Sequence, residues 1–250
     1  MCCLFGFVDY AGSLSVKQKG RLIRELSIAA EARGTDATGV AYNTSRGLQI
    51  YKRPLTAHRL HLNIPAEAHV VMGHTRMTTQ GSAKKNYNNH PFFGRVKGKS
   101  FALAHNGVVW SDLELRRTKH LPRTKVQTDS FIAVQLIEQQ KSLDFSSLRY
   151  TAEAVEGSFS FTVLSERDDL YLIKGDNPLN IVHFPAAGVY VYASTTEILN
   201  KALARCRNWL GRGEKVDIAM GDIVKIDRNG RITRGTFDAS KLYRSSWGYW

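Results

Sequence analysis

The stretch "SFSFTVLSERDDLYLIKGDNPLNIVHFPAAGVYVYAS", residues 158–194, decides the architecture. It holds three short apolar runs: SFSFTVL at 158–164, LYLIKG at 170–175 and VYVYAS at 189–194. Each has the length and the β-branched, aromatic content of a strand. No amphipathic helix of the kind a parallel crossover needs lies between them, so they read as antiparallel neighbours rather than as part of a doubly wound parallel sheet.

Working outward, the same pattern recurs. STTEILNKALARCRNW (194–209) reads as one helix, opened by the capping-box spacing of "STTE". DIVKID (222–227) and RITRG (231–235) form a hairpin around "RNG". Upstream, 129–141 and 147–155 read as helices, and FALAHNG (101–107) as a strand that ends in a turn. AHVVMGHT (68–75) is a strand, and TGVAY (38–42) and LQIYK (48–52) are a strand pair joined by "NTSRG". Residues 16–32 carry Leu22, Ile23, Leu26 and Ala30 at helical spacing and stop near Gly34, and LFGFV (4–8) opens the chain as a buried strand. Blocks of strands separated by helices predict an α+β fold of antiparallel sheets with helices on the outer layers.

The 250 residues fit one domain, with 43% hydrophobic and 23% charged residues. A chain this long buries about 70–75% of its unfolded surface and needs no staples. Three cysteines, Cys2, Cys3 and Cys206, do not form a disulfide framework and fit a reducing cytoplasm. No basic, then apolar signal segment opens the chain, and no apolar run approaches the ~18–20 residues of a membrane span. The net charge of +13 leaves room for an anionic partner. Its basic residues are spread out, with local excesses at 84–99, 115–125 and 201–215, and no nucleic-acid-binding motif accompanies them.

Four features carry chemistry. Cys2 is either a small core residue or, once Met1 is removed, a nucleophile whose own α-amine is its base. Arg76, at the exit of a strand in "GHTRMTTQG" (73–81), is either half of an ion pair or a fork for a carboxylate. Asn106-Gly107 in "AHNGVV" (104–109) is either a turn or an amide side chain and a backbone N–H converging on an oxyanion. Asp129 in "QTDSF" either caps a helix or receives an ammonium. Arg76 and Asp129 together would recognise an α-amino acid. A thiol with an oxyanion pair would then act on its side-chain carbonyl through a thioester.

In these motifs the sequence resembles the class II glutamine amidotransferase domain, an N-terminal-nucleophile hydrolase. The resemblance is carried in order by MCCLFG (1–6), RGTDATGV (33–40), GHTRMTTQG (73–81), NNHPF (88–92), HNGVV (105–109), TDS (128–130), EGSFSFTVL (156–164) and YASTTEIL (192–199). It implies a four-layer αββα sandwich. It further implies Cys2 as nucleophile, Arg33 placing it, Asn106 and Gly107 as the oxyanion hole, and Arg76, Thr79, Gly81 and Asp129 around the substrate glutamine. No metal or cofactor is implied. Met77 and Gln80 depart from the aromatic and the histidine that relatives carry in this loop.

The implied reaction is hydrolysis of the glutamine side-chain amide. Its ammonia would pass to an acceptor synthase or transferase on a separate subunit, since no phosphate loop or acceptor domain is apparent. Two other readings stand beside it: a γ-glutamyl amide hydrolase acting on a larger metabolite, and a catalytically quiet basic interaction module. The domain is expected over 2–227, followed by a basic, aromatic tail over 228–250.

Overall fold

The computed structural model describes residues 2–242. Its elements, in chain order, are β1 (Cys3–Asp9), α1 (Val16–Ala30), β2 (Ala37–Thr44), β3 (Gly47–Arg53), β4 (Val70–Arg76), β5 (Phe92–Val96), β6 (Lys99–Val109), α2 (Asp112–Thr118), α3 (Phe131–Gln140) and α4 (Phe145–Ala154). They continue with β7 (Gly157–Ser165), β8 (Leu170–Lys174), β9 (Asn180–Phe184), β10 (Val189–Ala193), α5 (Thr196–Leu203), α6 (Arg207–Leu210), β11 (Glu214–Val216), β12 (Asp222–Ile226) and β13 (Ile232–Thr236).

The strands form two sheets. The first runs β11-β9-β10-β1-β4-β2-β3 and the second β13-β12-β8-β7-β6-β5. The pairings are antiparallel, as consecutive strand blocks require. Strand periodicity then assigns the layers. In β1, Cys3, Phe5 and Phe7 pack with Leu22 and Leu26 of α1 and Leu199 of α5. Leu4 and Val8 face the other way, into an inter-sheet core with Ala102, Ala104, Leu164 and Leu172. The outer face of the second sheet, with Phe159 and Phe161, is covered by Ile132, Leu136 and Leu148 of α3 and α4. The result is helix, sheet, sheet, helix: the four-layer αββα sandwich.

Local chemistry fixes the element ends. Ser15 and Gln18 form a capping box at the start of α1. Asp144 and Ser147 do the same for α4. The long helix expected over 194–209 is broken into α5 and α6, and its N-cap is Thr195 rather than Ser194. Ser194 is completely buried and is used elsewhere, as described below. β5, β9, β11 and α2 are additional to the sequence reading. The hairpin around Asn229-Gly230 forms, so sheet pairing continues past residue 227, and Phe237 and Leu242 pack on the second sheet. The expected aromatic tail lies outside the described residues from 243 on.

Candidate active site

Cys2 precedes the first residue of β1, the strand between β4 and β10. Cys3 pairs with Thr75, which places Cys2 beside the end of β4, and its Sγ donates to the Met77 carbonyl at 3.5 Å. Cys2 shares the strand parity of Leu4, so it is set toward the second sheet, whereas Cys3 belongs to the helix-side core. Arg33, just beyond α1, donates from Nε to the Cys2 carbonyl at 2.9 Å. That bond holds the backbone of the residue the sequence singles out.

Across the sandwich, Asn106 is fully buried in β6. Here the structure corrects a local expectation: "HNG" is not a turn. β6 continues through Asn106 and Gly107 to Val109, paired with β7 throughout. Gly107 keeps its place in the ladder with φ +144°, and a Cβ there would lie 1.8 Å from the Ser158 carbonyl oxygen. Only glycine fits this backbone. Asn106 Nδ2 donates to Ser194 Oγ at 3.4 Å, and Ser194 Oγ accepts the Leu4 N–H at 2.9 Å. Ser194 therefore stitches the start of β1 to β6 across the two sheets. Asn106 Oδ1 has no partner among the described residues, which leaves this buried amide with unused hydrogen-bonding capacity.

Arg76, 2% exposed, ends β4. Its Nη1 donates to Asn89 Oδ1 at 2.7 Å, and its Nη2 donates to the Gln80 and Gly81 carbonyls at 2.5 and 3.3 Å. Asn89 is placed from two sides: its Nδ2 donates to the Ala83 carbonyl, and Lys52 Nζ donates to the Asn89 carbonyl. Gly34 and Gly39 let this corner close. A Cβ on Gly34 would meet the Arg76 carbonyl carbon at 2.5 Å, and one on Gly39 the His90 oxygen at 2.3 Å. Asp129 does not cap α3 with its side chain. Its Oδ2 accepts the Val109 N–H at 2.6 Å, which ties the segment before α3 to the end of β6. Its own N–H donates to Gln80 Oε1 at 2.7 Å.

Burial raises the Cys2 thiol above its ordinary value. The Arg76 guanidinium acts on it in the opposite sense, and Asp129 in the same sense as burial. Arg76 and Asp129 are joined through Gln80, whose carbonyl accepts from Arg76 and whose Oε1 accepts the Asp129 N–H. Cys3 is pushed to about 11 by burial. His74, on the inter-sheet face of β4, lies with its ring centroid 4.2 Å from that of His90, while His105, on the helix side of β6, packs against Phe161 at 4.7 Å. Burial lowers His74 to about 3 and His90 well below its usual range. His74 Nε2 donates to the His105 carbonyl, and His105 Nδ1 pairs with Ser130 Oγ. His74 and His105 are buried hydrogen-bonding groups, and His90 packs with both ring nitrogens unpartnered among the described residues. Among the described residues no three His, Cys, Asp or Glu side chains converge to hold a metal ion.

Cys2, Arg33, Arg76, Asn106, Gly107 and Asp129 therefore converge on one corner of the sandwich. Gly81 joins them through its carbonyl, in a left-handed turn with φ +68°. Thr79 stands in the same loop with an exposed side chain. The sequence reads Ser194 only as a helix cap and gives Asn89 and Lys52 no role. The first two lie in motifs already quoted, YASTTEIL and NNHPF. Their partners are far away in sequence, and only the fold reveals them.

The family described as Glutamine amidotransferases class-II matches residues 1–171. Glutamine--fructose-6-phosphate aminotransferase [isomerizing] of Bacillus thuringiensis subsp. konkukian is 31% identical over 188 residues, covering 72% of this chain and 30% of that protein. The enzyme of the same name from Thermus thermophilus is 30% identical over 172 residues, covering 66% of this chain and 27% of the relative. The chain thus spans about a third or less of these relatives' length. Among solved structures, glutamine phosphoribosylpyrophosphate amidotransferase from B. subtilis superposes with a TM-score of 0.72 at 18% identity, covering 95% of this chain and 49% of that one. This likeness shows a shared fold. On the family match and the identity to these relatives, the chain belongs to the class II glutamine amidotransferases.

Proposed function

We propose that this chain hydrolyses the side-chain amide of glutamine through a thioester on Cys2, with release of ammonia to an acceptor held on a further domain or subunit. The observation that carries the reading is one hydrogen-bonded frame: the buried Cys2 thiol on the Met77 carbonyl next to Arg76, Arg76 and Asp129 both bonded to Gln80, and Asn106 tied through Ser194 to Leu4, two residues from Cys2.

The steps follow from the residues. With Met1 removed, the Cys2 α-amine has a reference pKa near ~7.7–8.0 and is a base near neutrality. A thiol raised by burial needs such a base. The amine takes the thiol proton and the sulfur attacks the glutamine δ-carbonyl. The Asn106 amide and the Gly107 N–H receive the oxyanion. The protonated amine returns its proton to the leaving ammonia, and water then cleaves the thioester to glutamate. Arg33 holds the Cys2 backbone so that amine and thiol keep their mutual position. Arg76 takes the substrate α-carboxylate and Asp129 the α-ammonium, with Thr79 and Gly81 shaping the loop around them. The relatives are named for fructose 6-phosphate and phosphoribosylpyrophosphate; for this chain the acceptor is an ammonia-consuming synthase or transferase.

Glutamate release from glutamine and from a series of γ-glutamyl amides, with Cys2→Ala as control, tests the reading. Hydrolysis of glutamine in preference to bulkier amides, absent in Cys2→Ala, is expected. Preference for a bulky γ-glutamyl amide would replace it with the metabolite-hydrolase reading. Turnover that survives Cys2→Ala would overturn it.

A further inference from the structure

At the opposite end of β6 from Asn106, three connections of the second sheet enclose a cavity of about 320 Å³. They are the β5–β6 turn, the β7–β8 turn and the α3–α4 link. From Lys99 to Asn106 the strand rises roughly 24 Å, so this is not the site around Cys2. Lys97, Lys99, Lys141 and Arg167 line the cavity. Among the described residues, none of these four head groups meets a carboxylate within ion-pair distance.

The acids at the same cavity are already engaged. Asp169 pairs with Lys225 at 3.2 Å, Glu166 accepts the Ser100 N–H at 2.7 Å, and Asp144 caps α4. Val96, Leu143 and Tyr171 supply an apolar wall. Two of the lysines stand where the backbone favours another residue. Lys97 has φ +46° and is followed by Gly98 at +81°, while Lys141 ends α3 with φ +56°. Glycine or asparagine occupies such left-handed positions at lower cost. Lysine stands at both, and both line one cavity.

Unpaired cations gathered around a concave, partly apolar space favour a polyvalent anion. The volume lies at the lower end of the range of small-molecule sites. We propose that this cavity binds a phosphorylated small molecule bearing at least two phosphate groups. The proposal stands independently of the glutaminase reading.

Calorimetric titration of the full chain at low salt, with inorganic pyrophosphate and then a nucleoside triphosphate, tests it. The decisive variant is Lys97→Asn with Lys141→Asn, because asparagine suits both left-handed positions and keeps the fold. Saturable pyrophosphate binding is expected, at least about tenfold weaker in the double variant. Its melting midpoint should equal or exceed that of the unmodified chain. Absence of pyrophosphate binding at millimolar concentration, equal binding by the double variant, or equal binding of sulfate at matched ionic strength would overturn the proposal. Binding of a single-stranded oligonucleotide without pyrophosphate binding would also overturn it, in favour of a nucleic-acid surface.

Discussion

Asn106 is held inside a backbone ladder and Cys2 adjoins one, whereas the loop after Arg76 has none. Cys2 adjoins β1, paired on both sides, and Asn106 lies inside β6 between β5 and β7. Residues 77–85 lie outside any helix or strand. Their main chain is held by side chains instead: Asp36 Oδ2 accepts the Thr78 N–H at 2.7 Å, Arg76 donates to the Gln80 and Gly81 carbonyls, and Gln80 bonds Asp129 N–H. Groups fixed by ladders keep the geometry that chemistry needs. A loop held by side-chain hydrogen bonds can exchange those bonds for others. The proposed carboxylate fork, Arg76, spends its Nη2 on this loop, so a substrate carboxylate would compete with the loop carbonyls. On the proposed reading, the groups in or beside the ladders carry the reaction and the loop carries admission of the substrate.

Substitutions in each region test that separation. The largest effect is expected at Cys2: Cys2→Ala should abolish glutamate release in a folded protein, checked by activity assay and circular dichroism. Next is Gly107→Ala, where positive φ alone costs about 1–3 kcal/mol and the overlap with Ser158 O adds to it. Both a lower melting temperature and lost activity are expected, so this variant reports on the ladder as well as on the oxyanion. Asn106→Ala should lower kcat about 10²–10³-fold with KM little changed, as loss of one oxyanion donor does. An equal rise in KM would move Asn106 from the reaction to admission.

The histidine layer next to β6 gives a pH test of the anchored region. His74 titrates near 3 in the folded chain because of burial, against about 6.5 unfolded. Between those values the unfolded chain binds more protons, so stability falls as pH drops from 6.5 toward 3 and is fully present above 6.5. Thermal melts between pH 6.5 and 4.5, above the main carboxylate range, should show that slope. A flat profile would contradict the neutral, buried layer. The smallest effect is expected in the loop: Thr79→Ala should raise KM several-fold at most, with kcat unchanged, in steady-state kinetics.

The contrast also explains what the sequence makes legible. Runs such as SFSFTVL and LFGFV announce strands because alternation and β-branching are local properties. The layered fold then follows from their order. Cys2, Arg76 and Asp129 were visible because their chemistry is explicit in the side chain. Asn106-Gly107 reads locally as a turn, beside its oxyanion reading, because the dipeptide normally makes one. Its in-strand conformation depends on the neighbouring β7 backbone at Ser158, more than fifty residues away in sequence. Ser194 looked like a helix cap for the same reason. Its hydroxyl instead serves Leu4 and Asn106, contacts that exist only once β10, β1 and β6 are assembled. β5, FFGRV, does not stand out in the sequence although its burial alternates strictly, because a five-residue run that follows Pro91 and contains Gly94 carries little signal.

The central claim is that Cys2, as the mature N-terminal residue, is the nucleophile of an amino-acid site. Intact mass of the purified chain, with and without an electrophilic glutamine analogue and beside Cys2→Ala, tests it most directly. The account requires a mass lacking methionine and one adduct that Cys2→Ala cannot form and that excess glutamine prevents. A chain that retains Met1 and forms no adduct, or an adduct that persists in Cys2→Ala, would contradict it.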